Sequence, residues 1–273
     1  MITAAAIQTL ATTDVDRNLE AAARLVAQAA AQGARLVVLP EYFCLMGRTD
    51  RDKLHVAEAD GHGPIQDALS AMAARHRLWL VGGTLPIKTE MPDRVRNACC
   101  VFAPDGTHAA RYDKIHLFRY ANEIESYDEG RTLEAGSAPV ALTAKVDGES
   151  WRMGLSICYD LRFPELYRAL TRSLPCDILT VPSAFTHTTG QAHWQVLLRA
   201  RAIENQCFVI AAAQGGLHEN GRRTYGHSLI VDPWGDVLAE QHDDGEGVVL
   251  AELDATRIAA VRAQMPALTH RKV

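Results

Sequence analysis

Apolar residues form short runs that alternate with longer stretches of helical spacing along this chain. Residues 2–8 predict a strand, and the next stretch predicts a helix that Asp14 or Asp16 can cap and that ends at Gly33. A compact apolar run, RLVVLPE, predicts a second strand that ends at Pro40. A helix is predicted from Pro64 through Arg75, and a buried strand at 78–83. This alternation indicates strand–helix units around a layered sheet.

Extended runs replace this alternation after residue 83. Two of them flank a turn at residues 104–106 and predict a hairpin. A strand ending at Cys158 follows, then a helix that Pro164 opens and that continues to about Leu170, and another helix around 192–206. Strands and helices without a linker predict one α/β domain over residues 1–273. The pattern alone fits a doubly wound sheet and a two-sheet sandwich equally well.

Composition and charge narrow the classes of partner. Of the 273 residues, 48% are hydrophobic and 22% are charged, which is typical of a folded globular protein. The 28 basic and 33 acidic residues give a net charge of −5 without long blocks of one sign, so no nucleic-acid partner is expected. The chain has neither a secretory signal pattern nor an apolar run of membrane-spanning length. We therefore expect a cytoplasmic protein with no membrane partner.

No metal or cofactor is expected from the motifs. The spacings typical of zinc, nucleotide and dinucleotide sites are absent from the sequence. The six cysteines show no disulfide framework, which fits reduced thiols in a cytosol. Five of them are interpreted as structural, at positions 44, 99, 100, 176 and 207.

Three reactive side chains lie where apolar runs break, namely those of Glu41, Lys114 and Cys158. Taken singly, each has an ordinary explanation as a turn cap, a surface charge or an inert buried thiol. The sequence context of Cys158 favours a catalytic role, because an apolar strand turns directly into a helix there, as in a nucleophile elbow. A position at a helix N-terminus is also expected to lower the pKa of a thiol.

Three blocks of the sequence resemble the signature blocks of the nitrilase superfamily, in that family's order: LPE at 39–41, YDKIHLF at 112–118 and GLSICYDLRFPEL at 154–166. The resemblance extends to VDPWGDVLAE at 231–240 and beyond. It implies a four-layer α-β-β-α sandwich that often forms homodimers or homotetramers. It also implies a catalytic triad of Glu41, Lys114 and Cys158. A second family glutamate maps to Glu129, which would orient Lys114 or the substrate amide, although a solvated charge in a loop is the alternative.

The chemistry of an amidase explains these residue types. Glu41 would act as general base for the Cys158 thiol during attack on an amide carbonyl, and a thioester would remain for water. Lys114 and the backbone N–H of Tyr159 would stabilise the oxyanion. A catalytically silent binding module and a thiol-redox protein are the other classes. The intact triad argues against the first, and the lack of a resolving cysteine near Cys158 argues against the second.

The substrate class also rests on resemblance. Residues 181–214 are similar to the branch that hydrolyses amides of 2-oxo dicarboxylic acids, and AAAQGGLHENGRRTYGHS resembles its deaminated-glutathione amidase subgroup. Such an enzyme releases 2-oxoglutarate and cysteinylglycine. Omega-amidase activity on 2-oxoglutaramate is the alternative, followed by hydrolysis of a small aliphatic or N-carbamyl amide.

Three residues are candidates for binding such a substrate. Arg162 is a candidate fork for a substrate carboxylate, unless it forms a salt bridge with Glu165. Tyr42 and Thr186 are candidates for substrate hydrogen bonds, and either could instead only pack.

Overall fold

The computed structural model describes residues 1–121, 123 and 126–272. Two short 3₁₀ helices span Glu129–Arg131 and Cys158–Arg162. The α-helices are α1 Val15–Ala31, α2 Asp52–His55, α3 Pro64–His76, α4 Pro164–Leu170, α5 His187–Asn205 and α6 Ala255–Gln264. None of the described helices is long and apolar enough to cross a lipid bilayer.

The strands divide mainly into two mixed sheets. The strands are β1 Ile2–Gln8, β2 Leu36–Val38, β3 Trp79–Val81, β4 Leu85–Lys88, β5 Val95–Phe102, β6 His108–Asp113, β7 Arg119–Ala121, β8 Ser126–Asp128, β9 Ala141–Val146, β10 Glu149–Leu155, β11 Ile178–Thr180, β12 Phe208–Ala211, β13 Gly215–Leu217, β14 Arg223–Tyr225, β15 Leu229–Val231, β16 Val237–Glu240 and β17 Gly247–Leu253.

The first sheet has the order β17-β1-β2-β3-β5-β4, with β6 also paired to β5, and the second has the order β16-β15-β12-β11-β10-β9. In each sheet three neighbouring strands run parallel: β1, β2 and β3 in the first, and β10, β11 and β12 in the second. Antiparallel strands flank both groups. Two further hairpins, β7-β8 and β13-β14, lie outside these sheets.

Alternating side chains of the first sheet point into two different cores. Leu36 and Val38 pack with strands of the second sheet, whereas Val37 packs with helices α1 and α3. This is the period of two that places successive strand residues on opposite faces. Helices α4 and α5 cover the outer face of the second sheet. The layers are therefore helix, sheet, sheet and helix, so the four-layer α-β-β-α prediction is confirmed.

Most predicted elements match those observed. The strand at 2–8, the helix capped by Asp14 and the hairpin around residues 104–106 are confirmed. Helix α5 differs, because it begins at His187, several residues before the predicted start. Its first turns lack an apolar stripe, but Gly190 lets the helix lie against Tyr225. A Cβ on Gly190 would come within 2.3 Å of the Tyr225 Cβ.

Candidate active site

Glu41 follows β2, and its carboxylate is fully buried between the two sheets. Oε1 accepts hydrogen bonds from Nζ of Lys114 at 2.8 Å and from Nδ2 of Asn97 at 2.9 Å. Oε2 accepts from the backbone N–H of Ala184 at 3.0 Å. The donors come from three separate parts of the chain, so both sheets fix the orientation of this carboxylate.

Lys114 follows β6 and bridges two carboxylates with a completely buried side chain. Its Nζ lies 2.8 Å from Glu41 Oε1 and 2.8 Å from Glu129 Oε2. Burial alone would lower the pKa of Lys114, but the charges of Glu129 and Glu41 outweigh burial and raise that pKa well above its ordinary value. The group therefore remains an ammonium ion throughout the physiological pH range.

Three hydrogen-bond donors of the protein contact the Glu129 carboxylate. Its carboxylate accepts hydrogen bonds from Lys114, from the hydroxyl of Tyr42 at 2.8 Å and from the backbone N–H of Phe118 at 2.7 Å. Burial opposes ionisation of Glu129, but Lys114 prevails and holds the pKa of this carboxyl below its usual value. The structure thus brings Glu129 to Lys114, and the alternative of a solvated loop charge does not match its position.

Cys158 follows β10 and has a left-handed backbone conformation, with φ at 48°. Its backbone N–H donates to the carbonyl of Pro182 at 2.9 Å, and the residue is buried with 8% exposure. Left-handed backbone is uncommon and costly for residues other than glycine, and it often occurs at functional sites. The predicted direct passage from strand to helix is corrected here. A 3₁₀ turn spans Cys158–Arg162, and α4 extends over Pro164–Leu170, as predicted.

The expected lowering of the Cys158 pKa is wrong. Burial, the charge of Glu41 and a hydrogen bond with Glu41 raise the pKa of this thiol well above its ordinary value, against the opposing charge of Lys114. The α-helix whose N-terminus would favour a thiolate starts six residues further on, while a carboxylate lies beside the sulfur. The resting thiol is therefore protonated, and attack requires a base.

Asp160 connects the turn of residues 158–162 with the segment around Lys114. Its fully buried carboxylate accepts hydrogen bonds from the hydroxyl of Tyr112 at 2.7 Å and from the backbone N–H of His116 at 3.1 Å. The His116 ring nitrogen Nδ1 lies 2.7 Å from the same carboxylate. Tyr112 and His116 flank Lys114 in sequence, so Asp160 joins two of the reactive segments across the sheets.

A narrow pocket opens at the Cys158 thiol. Six of its lining residues coincide with sequence predictions: Glu41, Glu129, Cys158, Tyr159, Arg162 and Thr186. The Tyr159 ring packs edge-on against Phe118 and Phe163 at centroid distances of 5.1 and 5.2 Å. The predicted base and the predicted nucleophile therefore face one narrow space, and Lys114 is hydrogen-bonded to Glu41 and Glu129, which line it.

Arg162 lines this pocket with its guanidinium over an aromatic ring. Nη1 lies 3.2 Å from Nδ1 of His193, and the guanidinium carbon lies 5.4 Å from the centroid of Phe185. Arg162 and Glu165 both belong to the described residues, and no ion pair joins them there. The salt-bridge alternative is therefore not observed, and the guanidinium faces the pocket.

The two other predicted substrate contacts already have protein partners. Tyr42 donates its hydroxyl hydrogen to Glu129, which places Tyr42 beside the reactive cluster of Glu41, Lys114, Glu129 and Cys158. Thr186, at the start of α5, shares a hydrogen bond with Thr189 between their hydroxyl oxygens at 2.8 Å. Their roles toward a substrate stay predictions.

A larger cleft of about 470 Å³ adjoins the narrow pocket, and Phe118, Glu129 and Arg222 line both. Sequence reasoning missed two of its cations, Lys53 and Arg222, and also missed Asn97. The amide of Asn97 interrupts an apolar strand, VRNACCVF, and a buried polar residue in such a run was a usable signal. Nothing in the local sequence marked Lys53 or Arg222.

Within the described part of the chain, one group of three ligating side chains brings donor atoms within 4.8 Å of one another: His227, Glu240 and His242. His242 is largely exposed, and Nδ1 of His227 contacts Glu240 at 2.9 Å. None of the three lines the pocket at Cys158. The reactive cluster is thus separate from this group.

Comparison with known proteins gives consistent matches. The family model described as carbon-nitrogen hydrolase matches residues 3–263. The chain is 43% identical to a deaminated glutathione amidase of Synechocystis sp. over 98% of this chain and 97% of that protein. Among solved structures, the NitFhit protein of C. elegans superposes with a TM-score of 0.90 at 35% identity, over 99% of this chain and 65% of that one.

A second similar structure is a variant of the amidase from Nesterenkonia sp. AN1. It carries acrylamide on its active-site cysteine by Michael addition. It is 26% identical to this chain with a TM-score of 0.77, and the match covers 97% of this chain and 98% of that one.

Proposed function

This chain belongs to the carbon–nitrogen hydrolase family and is an amidase, and from that premise we propose that it hydrolyses deaminated glutathione with Cys158 as its nucleophile. One observation carries the assignment of the reactive groups. A protonated thiol and a carboxylate, those of Cys158 and Glu41, line one pocket, and the buried ammonium of Lys114 lies 2.8 Å from that carboxylate. These are the components that covalent amide hydrolysis needs.

In the first half of the reaction, Glu41 takes the proton from the Cys158 sulfur as that sulfur bonds to the amide carbonyl carbon. The carbonyl oxygen becomes an oxyanion, and the ammonium of Lys114 and the backbone N–H of Tyr159 stabilise it. The carbon–nitrogen bond then breaks, and Glu41 returns the proton to the leaving amine. A thioester remains on Cys158.

In the second half, Glu41 removes a proton from water while the water oxygen attacks the thioester carbonyl. The carbon–sulfur bond breaks, the sulfur regains a proton, and the carboxylic acid product leaves. Glu129 keeps Lys114 in place and, together with Glu41, keeps it charged through both halves. The raised pKa of Cys158 supports this scheme, because a neutral thiol gains most from a base held beside it.

The substrate proposal rests on the named relative and on one cation. The acyl part of deaminated glutathione ends in a 2-oxo acid carboxylate, and Arg162 lines the same pocket as Cys158. A guanidinium suits a carboxylate because its N–H groups can bind both oxygens. Thr186 lines the same pocket, and Tyr42 lines the adjoining cleft.

The test is a comparison of kcat/KM for deaminated glutathione and 2-oxoglutaramate with purified enzyme. We expect at least a tenfold preference for deaminated glutathione, measured by release of 2-oxoglutarate from both substrates and of cysteinylglycine from the first. The reverse preference would make the enzyme an omega-amidase and overturn this assignment. If the enzyme hydrolyses neither substrate, both activities are excluded.

We further propose that the chain forms homodimers or homotetramers in a reducing cytoplasm. Exposed apolar side chains lie along α5 and the neighbouring turn, namely Val196 at 67%, Ile203 at 41% and Trp234 at 43% exposure. The six cysteines, all among the described residues, are free thiols, which suits a reducing compartment. A second copy of the chain would cover the apolar side chains on α5.

A further inference from the structure

The cleft of about 470 Å³ beside the catalytic pocket contains basic groups that the proposed reaction does not use. It meets the catalytic pocket at Phe118, Glu129 and Arg222, so one extended molecule could occupy both spaces. The cleft has the size of a typical small-molecule site, whereas the pocket at Cys158 is much narrower. It therefore has room for a substrate segment larger than the group attached to sulfur.

Arg222 stands at the junction of the two spaces. Its Nη2 donates to the carbonyl of Ala184 at 3.0 Å, and the N–H of that same residue donates to Glu41. The guanidinium lies 5.0 Å from the ring centroid of Tyr127. Its Nε is buried without a hydrogen-bond partner, and no carboxylate of the described residues pairs with it. A buried, unsatisfied donor on a cation is costly unless a ligand compensates for it.

Lys53 adds a second positive charge to the cleft. Its Nζ lies 5.4 Å from the ring centroid of Tyr42, and within the described ranges it makes no ion pair. Burial lowers the pKa of Lys53, and the charges of Glu129 and Asp50 act against that lowering. The side chain is thus a half-buried cation close to the reactive cluster.

The acidic and basic neighbours in the cleft are largely engaged elsewhere. Glu129 is bound to Lys114, and Arg96 pairs with Glu134. Asp128 lies near two exposed arginines at 4.0 and 3.8 Å. Arg48 and Asp50 also line the cleft, but both are exposed. Lys53 and Arg222 are therefore the two partly buried cations of the cleft that no carboxylate of the described residues pairs with, and they are available to an anion.

Deaminated glutathione has a carboxylate at each end, with the scissile amide between them. We propose that Arg222 and Lys53 bind the glycine carboxylate of the leaving cysteinylglycine, while the acyl carboxylate lies at Arg162. This inference rests on the proposed function and deepens it. 2-Oxoglutaramate has ammonia as its leaving group and no second carboxylate, so this subsite distinguishes the two substrates.

The experiment varies the enzyme and the substrate together. Arg222→Gln and Lys53→Met are assayed on deaminated glutathione, on its analogue with a glycine amide in place of the carboxylate, and on 2-oxoglutaramate. We expect each variant to lose roughly 10- to 100-fold in kcat/KM on deaminated glutathione, mainly through KM, as for a lost charge-assisted hydrogen bond. The loss on 2-oxoglutaramate should be at least tenfold smaller.

The neutral analogue gives a test that does not depend on folding of a variant. Wild-type enzyme should lose a similar factor when the glycine carboxylate becomes an amide, and Arg222→Gln should lose little more on that analogue. Arg222→Lys should recover part of the activity. Arg223→Gln is the matched control, because the neighbouring Arg223 is exposed and pairs with Asp244 instead. It should leave all three rates unchanged.

The outcomes separate the two proposals. Wild-type hydrolysis of deaminated glutathione with equal kcat/KM for the amide analogue would overturn the subsite and leave the proposed function standing. Equal losses of Arg222→Gln on deaminated glutathione and on 2-oxoglutaramate would also overturn the subsite. Failure of the wild-type enzyme to hydrolyse deaminated glutathione would overturn both.

Discussion

Lys114 illustrates how single residues create the chemistry of this site. A fully buried ammonium would ordinarily lose its proton, but two carboxylates within 2.8 Å keep it charged. Burial and the charge of Glu41 also raise the pKa of Cys158, and a raised pKa keeps a thiol neutral. The protonation state of each group depends on its neighbours, so replacing one residue changes the protonation of the others.

Replacing the nucleophile tests the central assignment. Cys158→Ala should reduce turnover to a trace and leave the fold intact, because the thioester cannot form. Mass spectrometry of the wild-type enzyme with a slowly hydrolysed amide should find an acyl adduct on the peptide that contains Cys158. Cys176→Ala, outside the pocket, should retain both the adduct and turnover at a modest stability cost of about 1 kcal/mol. An adduct on another cysteine would reassign the nucleophile.

Replacing Lys114 by arginine keeps the charge and changes the shape. The ammonium is compact and fully buried, whereas a planar guanidinium would displace the donor in this space. We expect Lys114→Arg to lower kcat by roughly 10²-fold, as for loss of one oxyanion donor, with a smaller change in KM. Steady-state kinetics measure both parameters. A kcat close to that of the wild-type enzyme would contradict the role of Lys114.

At the scale of elements, buried polar side chains join segments that lie far apart in sequence. Asp160 links the turn of residues 158–162 to the segment that carries Lys114. His218, in the loop after β13, contacts the carbonyl of Ala11 at 2.9 Å and the hydroxyl of Thr224 at 2.8 Å. Such fully engaged polar groups fix the relative placement of the loops at the site.

The Asp160 contacts predict a positioning effect. Asp160→Asn replaces an acceptor oxygen with a donor amide facing other donors, and we expect about 1–3 kcal/mol of lost stability. We also expect kcat to fall at least tenfold with little change in KM, because the thiol and Lys114 shift relative to each other. Asp177→Asn is the control, since Asp177 pairs with Arg262 away from the pocket. It should lose stability with kcat unchanged. Equal kcat effects of the two variants would contradict the positioning role.

His218 predicts a dependence of stability on pH. Burial lowers the pKa of this histidine to about 4, against a hydrogen bond with Ala11 that favours the charged form. The unfolded chain therefore binds the proton at a higher pH than the folded chain does. The free energy of unfolding should fall as pH drops from about 6.5 to about 4, with His218 contributing about 3 kcal/mol.

The measurement is urea unfolding at several pH values for the wild-type protein and His218→Gln. The variant should show a shallower decline over this interval, because its side chain does not titrate. His270→Gln, at an exposed position, should follow the wild-type curve. An unchanged pH dependence in His218→Gln would contradict the contribution of this histidine.

At the scale of the whole molecule, two sheets with the same parallel core face each other, and reactive groups from both meet between them. Glu41 and Lys114 come from the first sheet, and Cys158 comes from the second. The site therefore requires both sheets to be folded and packed. That residues 1–273 form one domain stays a prediction, as does the oligomeric state.

Disruption of the apolar surface on α5 tests the oligomeric state. Ile203 packs against Gly235 in the turn after Trp234, and Val196 lies two turns before Ile203 on the same face of α5. We expect Val196→Glu to reduce the mass in solution to that of the monomer, as measured by light scattering after size exclusion. Leu174→Glu, at another exposed apolar residue, should keep the wild-type mass. A monomeric wild-type protein would contradict the proposed oligomer.

The sequence by itself determined most of the elements and the candidates for the reactive residues. Local apolar periodicity is sufficient to predict β1, α1 and the β5-β6 hairpin, because it reflects which face of each element is buried. Glu41, Lys114 and Cys158 became candidates because each lies where an apolar run breaks, within a block that resembles a family signature. The tertiary structure alone decided the raised pKa of Cys158, the earlier start of α5, and the placement of Asn97, Lys53 and Arg222 at the site. These properties depend on burial and on charges brought together from distant segments, and no local pattern of residues records such contacts.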